Sequence, residues 1–197
     1  DLQSGGCWDK TTEASFNRVS DTRIEGYRYS KGWANDQKVY FVADFSKPMA
    51  DCTITEDGMF ARVAFSTAKD EQIYVKVALS PVSIEGAKAN MVAELPDWNF
   101  EATRQKAKDT WNSYFSRIQV EGTDEQKANF YTSYYHALIQ PNNIADVDGM
   151  YRNAKGELAK AEGGTYYSTF STWDTYRASH PFYTLVLPEM VDPFVRS

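Results

Sequence analysis

The densest concentration of potential chemistry is the run Tyr166-Tyr167-Ser168-Thr169-Phe170-Ser171-Thr172-Trp173-Asp174-Thr175-Tyr176-Arg177, in which aromatic rings alternate with hydroxyl, carboxylate and guanidinium groups. That mixture suits a sugar, whose C–H faces stack on aromatic rings and whose hydroxyls pair with planar charged groups. Each residue also has a plainer reading. Asp174 stands three residues after Ser171, the distal position of a capping box, where the helix macrodipole favours a negative charge. Trp173 and Tyr176 could pack in a core, and Arg177 could pair with a local carboxylate.

Other groups offer less. Asp146-Val147-Asp148-Gly149 invites a calcium-loop reading, but that pattern wants an acidic or amide residue at 144 and Glu at 155, where the chain has Ile144 and Lys155. A polar turn whose aspartates bond their own backbone is the alternative. His136 sits among Tyr134, Tyr135 and Leu138, and His180 precedes Pro181; both read as hydrogen-bonded helix-interface residues. The sequence contains no Gly-x-Gly-x-x-Gly, no phosphate loop, no His-Glu-x-x-His and no Gly-x-Ser-x-Gly, so nucleotide chemistry and serine hydrolysis lose weight. Cys7 and Cys52 could form one disulfide but fit no metal spacing.

At 197 residues, 42% of them hydrophobic and 24% charged, the chain can bury one sizeable core or two small ones. Twenty-one Lys and Arg against 27 Asp and Glu give a net charge of -6, which argues against nucleic acid as a partner. No apolar run reaches the ~18 residues of a membrane span, and residues 1–10 lack the regions of a signal peptide. The segment therefore reads as soluble and already processed or cut.

The elements that must position these residues change character along the chain. Over residues 21–81 the β-branched and aromatic sets Thr22, Ile24, Tyr27, Tyr29; Val39 to Val42; Phe60, Val63, Phe65; and Ile73, Val75, Val77, Leu79 read as at least four strands. Turn clusters between them have the spacing of an antiparallel sandwich, not of βαβ units. A short helix is expected over 83–95, ended by Pro96. A second, capped by Asp97 or Asn99, carries Ala107, Trp111, Tyr114, Phe115 and Ile118 on one face and is stopped by Gly122. Thr123 and Gln126 match a capping box for a third helix, which should pack antiparallel to the second. Residues 142–164 are polar and should hold a small hairpin. One helix is expected over 172–187, opened by Ser171 and followed by Pro188, with another element starting at Asp192-Pro193.

Three runs together carry a resemblance: Phe130-Tyr131-Thr132-Ser133-Tyr134-Tyr135-His136-Ala137-Leu138-Ile139-Gln140-Pro141-Asn142, then Asp146-Val147-Asp148-Gly149-Met150-Tyr151-Arg152, then the run from Tyr167 to Arg177. In order and spacing they resemble glycoside hydrolase family 92, the calcium-dependent exo-acting α-mannosidases. Glu25-Gly26-Tyr27-Arg28, Lys31-Gly32-Trp33-Ala34, Gln37 to Phe41 and Ser80-Pro81-Val82-Ser83 resemble the same family further upstream. The resemblance implies a mixed fold, β then α: part of an amino-terminal β-sandwich over 1–82, a helical linker over 83–122, and the first helices of an (α/α)6 barrel over 123–197. It implies a site between the two domains, where calcium helps to bind and distort a terminal mannose. There a glutamic acid protonates the leaving oxygen and an aspartate activates water with inversion, two carboxyls about 6.5 to 9.5 Å apart leaving room for that water.

The resemblance further implies that acid, base and calcium ligands belong to later barrel helices, outside this chain, and that the family's glycine-rich motif would precede it. No catalytic residue or metal ligand is therefore expected within the segment, which alone should be inactive. Trp173 and Asp174 map onto the family's mannose pocket, with Arg177 holding Asp174 or reaching a hydroxyl. The implied partners are mannose-containing glycans, N-glycans among them, and the remainder of the catalytic domain; the implied location is periplasmic or extracellular in a bacterium. A non-catalytic carbohydrate-binding or structural domain is the alternative. Cut helices should also expose Tyr183, Leu187 and Phe194 and favour self-association.

Overall fold

The computed structural model describes residues 1–3, 8–168 and 171–197, so Cys7, and with it the possible disulfide, and Thr169 and Phe170 lie outside the described residues. Two compact units emerge: residues 1–98 with 145–164, and residues 99–144 with 165–197.

In the first unit, β1 (Lys10–Ser20), β2 (Arg23–Lys31) and β3 (Gln37–Phe45) form an antiparallel meander; β4 (Asp51–Ile54) and β5 (Ala61–Ala64) form a hairpin, and β6 (Val75–Ser80) returns beside β3. The sheet order is β1-β2-β3-β6. The four expected strands are therefore present, with β1 and β4 added. Few apolar residues mark β1, because it is a largely exposed edge strand whose polar side chains hide its period. One sheet face buries Ile24, Ala43, Phe45 and Met49. On the other face Val42 and Ala78 meet Ala87 and Met91 of α1 (Ile84–Glu94). Ser83 caps α1 by accepting from the Gly86 amide, and Lys76 Nζ donates to the Leu95 carbonyl at its end. Such a cap contributes about 1 kcal/mol.

The second unit opens with α2 (Phe100–Phe115), capped by the Asn99 side chain rather than Asp97, and α3 (Asp124–Ala137), where the Thr123/Gln126 capping box forms in both directions. The two helices pack antiparallel as expected: Trp111 lies 4.7 Å from Tyr135 and Phe115 6.0 Å from Tyr131, centroid to centroid. However, α2 ends seven residues before Gly122. Ser113 and Ser116 donate to the carbonyls of Thr110 and Ser113, and Arg117 and Ile118 make tightened i,i−3 bonds, so local polar competition closes the helix early. The hairpin expected within 142–164 is present as β7 (Met150–Arg152) and β8 (Leu158–Lys160), and it belongs to the first unit.

The single helix expected over 172–187 is instead two, α4 (Thr172–Thr175) and α5 (Ser179–Val186), followed by α6 (Pro188–Arg196). Pro181 is the cause: it fits the first turn of α5, but its ring would clash with the carbonyl four residues earlier in a continuous helix. Pro188 does not merely end α5; it opens α6, which runs through Pro193. Tyr183 and Leu187, expected to be exposed by cut helices, are each only 4% exposed. The Tyr183 hydroxyl donates to the carbonyls of Ala137 and Gln140, and its ring lies 5.6 Å from that of Phe194. Arg117 ties α2 to this end of the unit through the Val186 carbonyl and Glu189 Oε1.

Candidate functional site

Within the second unit, α4 presents the residues expected to meet a sugar. Trp173 is 87% exposed and Tyr176 54%, so neither serves as a core residue among the described residues. The break at residues 176–178 separates them from the buried face of α5. Ser171 does not cap α4 with its side chain; its hydroxyl donates to Asp174 Oδ2 at 2.5 Å. That bond aims the carboxylate, and among the described residues Asp174 has no other side-chain partner. Arg177 does not reach Asp174. Its Nε donates to the Tyr176 hydroxyl at 2.8 Å, and the guanidinium lies 5.4 Å from that ring's centroid. An exposed indole, an aimed carboxylate and a guanidinium steadied on a ring are groups that stack on and hydrogen-bond a polyol.

The two histidines are not alike. His180 Nε2 is 2.7 Å from Thr175 Oγ1, bonding α5 back to α4, whereas His136 is exposed on α3 beside Tyr135. His136 is thus a surface residue rather than the interface residue expected.

Asp146 and Asp148 lie in the first unit, in the segment leading to β7. Asp146 is 3% exposed. Its Oδ2 accepts from Ser80 Oγ at 2.6 Å and its Oδ1 from Asn90 Nδ2 at 2.8 Å. Asn90 also donates to the Leu79 carbonyl and accepts from the Val147 amide, so β6, α1 and the hairpin segment share one buried network. A Cβ on Gly86 would stand 2.4 Å from Asp146 Oδ2, so glycine is required for this approach. Burial pushes the Asp146 carboxyl above the usual carboxylate range, with neighbouring Asp148 adding to the rise and the bonds from Ser80 and Asn90 opposing it. Asp148 Oδ1 accepts from the Met150 amide, the self-bonded turn expected. Arg152 adds a second tether by donating to the carbonyls of Pro81 and Gly156. Among the described residues no three His, Cys, Asp or Glu side chains gather to hold a metal ion.

Sequence reasoning did not foresee Ser80 and Asn90 as partners of Asp146. It also passed over a cluster of Tyr27, Tyr29 and Tyr40 on the sheet, whose two-residue spacing on β2 was visible. Burial and the bond to Tyr40 push the Tyr29 hydroxyl pKa up, and the bond to Glu13 does so for Tyr27.

No curated protein matches the chain. Its structure is similar to that of a family GH92 alpha-mannosidase from Bacteroides thetaiotaomicron, with TM-score 0.89 and 33% identity over 96% of this chain and 28% of that one. The same enzyme in complex with mannoimidazole aligns with TM-score 0.88, 33% identity and the same coverage. A family GH92 inverting mannosidase of the same species aligns with TM-score 0.79 and 27% identity, over 92% of this chain and 27% of that one. The chain thus spans just over a quarter of the length of these relatives. The Glycosyl hydrolase family 92 N-terminal domain matches residues 1–80, and the Glycosyl hydrolase family 92 catalytic domain matches residues 86–197. With both domain descriptions met in order over nearly its whole length, the chain belongs to glycosyl hydrolase family 92.

Proposed function

We propose that the protein to which this chain belongs is an inverting exo-α-mannosidase that removes terminal α-mannose from glycans, N-glycans among them, and that Trp173, Asp174 and Arg177 form part of its mannose pocket. The observation that carries this reading is an indole and a carboxylate left exposed on α4, in a chain of this family. Similarity to alpha-mannosidases, one of them bound to mannoimidazole, supports the sugar class. In the pocket Trp173 offers a ring face, Asp174 accepts hydrogen bonds from sugar hydroxyls while Ser171 holds its orientation, and Arg177, steadied by Tyr176, donates to a further hydroxyl. The segment supplies binding. The general acid and base, separated widely enough to admit water, are assigned to parts of the protein outside this chain, as is the rest of the (α/α)6 barrel that residues 123–197 would open.

Release of mannose of inverted anomeric configuration from α-mannosides by the full-length protein, followed by NMR, tests the reaction. The isolated 197-residue chain is expected to give no turnover, and turnover by it would place acid and base inside it.

Calcium belongs to the proposal, but the described residues do not fit it. Both oxygens of Asp146 are engaged by Ser80 and Asn90, and Asp148 is turned to its own backbone. Its ligands are therefore assigned outside these residues. Chelation of the full-length protein is expected to abolish turnover and added calcium to restore it; undiminished turnover after exhaustive chelation would remove calcium from the mechanism. A periplasmic or extracellular location completes the proposal; no helix among the described residues is long and apolar enough to cross a membrane.

A further inference from the structure

We infer that His180 of α5 is a positioning residue of the sugar pocket, acting through Thr175 and Ser171 to fix the Asp174 carboxylate. The inference rests on the proposed reading of Asp174 as a mannose contact.

With four residues α4 is a single turn, well below the length at which a helix holds itself in water. What steadies it must come from outside. Thr172, Trp173 and Asp174 are exposed; Thr175 alone of the turn is partly buried, beside a partly buried His180. Thr175 Oγ1 lies 2.7 Å from His180 Nε2, and among the described residues no other side-chain hydrogen bond joins α4 to a second helix.

The direction of that bond follows from a count of protons. The Thr175 hydroxyl donates its one proton to the Ser171 carbonyl at 3.1 Å, which leaves its oxygen to accept, so His180 donates from Nε2. The same carbonyl accepts from the Asp174 amide at 3.0 Å and the Thr175 amide at 3.1 Å. Ser171 is thus gripped at its carbonyl, and its hydroxyl reaches Asp174 Oδ2. His180, Thr175, Ser171 and Asp174 form one continuous path of hydrogen bonds. The far end of the path is anchored, because His180 stands one turn before Tyr183 on α5. The Tyr183 ring meets the imidazole edge-on at 6.2 Å, and its hydroxyl is bonded to the carbonyls of Ala137 and Gln140. Movement of the exposed turn is therefore resisted from the buried face of α5. A carboxylate aimed in advance loses less freedom when sugar hydroxyls arrive.

The test uses the full-length protein and α-linked mannobioses, with mannose release read as kcat/KM. His180→Ala is expected to lower kcat/KM about tenfold, within the range that a small misplacement of a binding group costs, with little change in melting temperature. His180→Gln keeps an N–H at a similar reach and should recover most of that loss, whereas Thr175→Val keeps the shape without the hydroxyl and should repeat it. In protein already carrying Asp174→Ala, His180→Ala should cost no more than about twofold, because the group it positions is gone. Unchanged kcat/KM in His180→Ala, or a full further tenfold loss in the Asp174→Ala background, overturns the inference. Should His180→Ala fail to fold, Thr175→Val carries the test on the same terms. Hydrogen exchange at the Asp174 and Thr175 amides, expected to be about tenfold faster in His180→Ala, is read in parallel and needs no turnover. If the unaltered protein releases no mannose, the mannosidase reading ends; faster exchange in His180→Ala would then keep the bonded path, and unchanged exchange would end that as well. Mannose release indifferent to His180 would end the inference and keep the mannosidase.

Discussion

Replacing Asp174 by alanine in the full-length protein is expected to lower kcat/KM on terminal α-mannosides by about a hundredfold or more, with the fold unchanged. A carboxylate accepting two sugar hydroxyls contributes about 1.5 to 3 kcal/mol per bond, and such losses convert directly into kcat/KM. The fold should not notice, because Asp174 is exposed and its one side-chain partner among the described residues is Ser171, itself exposed. Asp174→Asn separates charge from shape. It keeps the side chain's size and one acceptor oxygen, so an intermediate loss points to charge-assisted bonds to the sugar. Kinetics of Asp174→Ala equal to those of the unaltered protein would leave the residue with only its contact to Ser171. Steady-state kinetics with a melting curve for each variant decides the matter.

Asp146→Ala should do the opposite: destabilise the first unit by about 3 kcal/mol, because two hydrogen bonds to a buried carboxylate disappear and the Ser80 hydroxyl loses its acceptor. The local readout is hydrogen exchange at the Val147 amide, which donates to Asn90 and should lose protection well before the sheet does. If Val147 exchange and the melting curve stay unchanged, the network is not what holds the hairpin segment. The pH dependence has a definite sign. Burial raises the folded-state pKa of Asp146 above its unfolded value. The stability that comes from its protonated form is therefore fully present below the unfolded pKa of about 3.9 and is lost as pH rises through the raised folded pKa. Asp146→Asn lacks that titration, so the stability difference between the unaltered protein and this variant should shrink as pH rises over the acidic range.

The contrast between these two aspartates shows where sequence reasoning reached. Asp174 was legible as a candidate because its neighbours in sequence are its neighbours in space: Ser171, Trp173 and Tyr176 lie within one helical turn. Its expected capping role is not met: the Ser171 side chain makes no cap bond to α4, and its hydroxyl donates to Asp174 Oδ2 instead. Asp146 was visible as part of a motif, but its partners Ser80 and Asn90 lie 66 and 56 residues away, and no local period connects them.

The sequence by itself determined the β-to-α order, the hairpin within 142–164, the capping box at Thr123, and membership of the family, because strand alternation, capping boxes and motif spacing act over a few residues. Only the tertiary structure decided that, on either side of the break that Pro181 imposes, Trp173 is left exposed while Tyr183 and Leu187 are buried. It alone decided that the chain segment 145–164 packs with the sheet's unit, and that three tyrosines from two strands share one face. Burial and hydrogen-bond satisfaction are properties of pairs far apart in sequence, and folding selects those pairs by the apolar area and polar groups they can cover together.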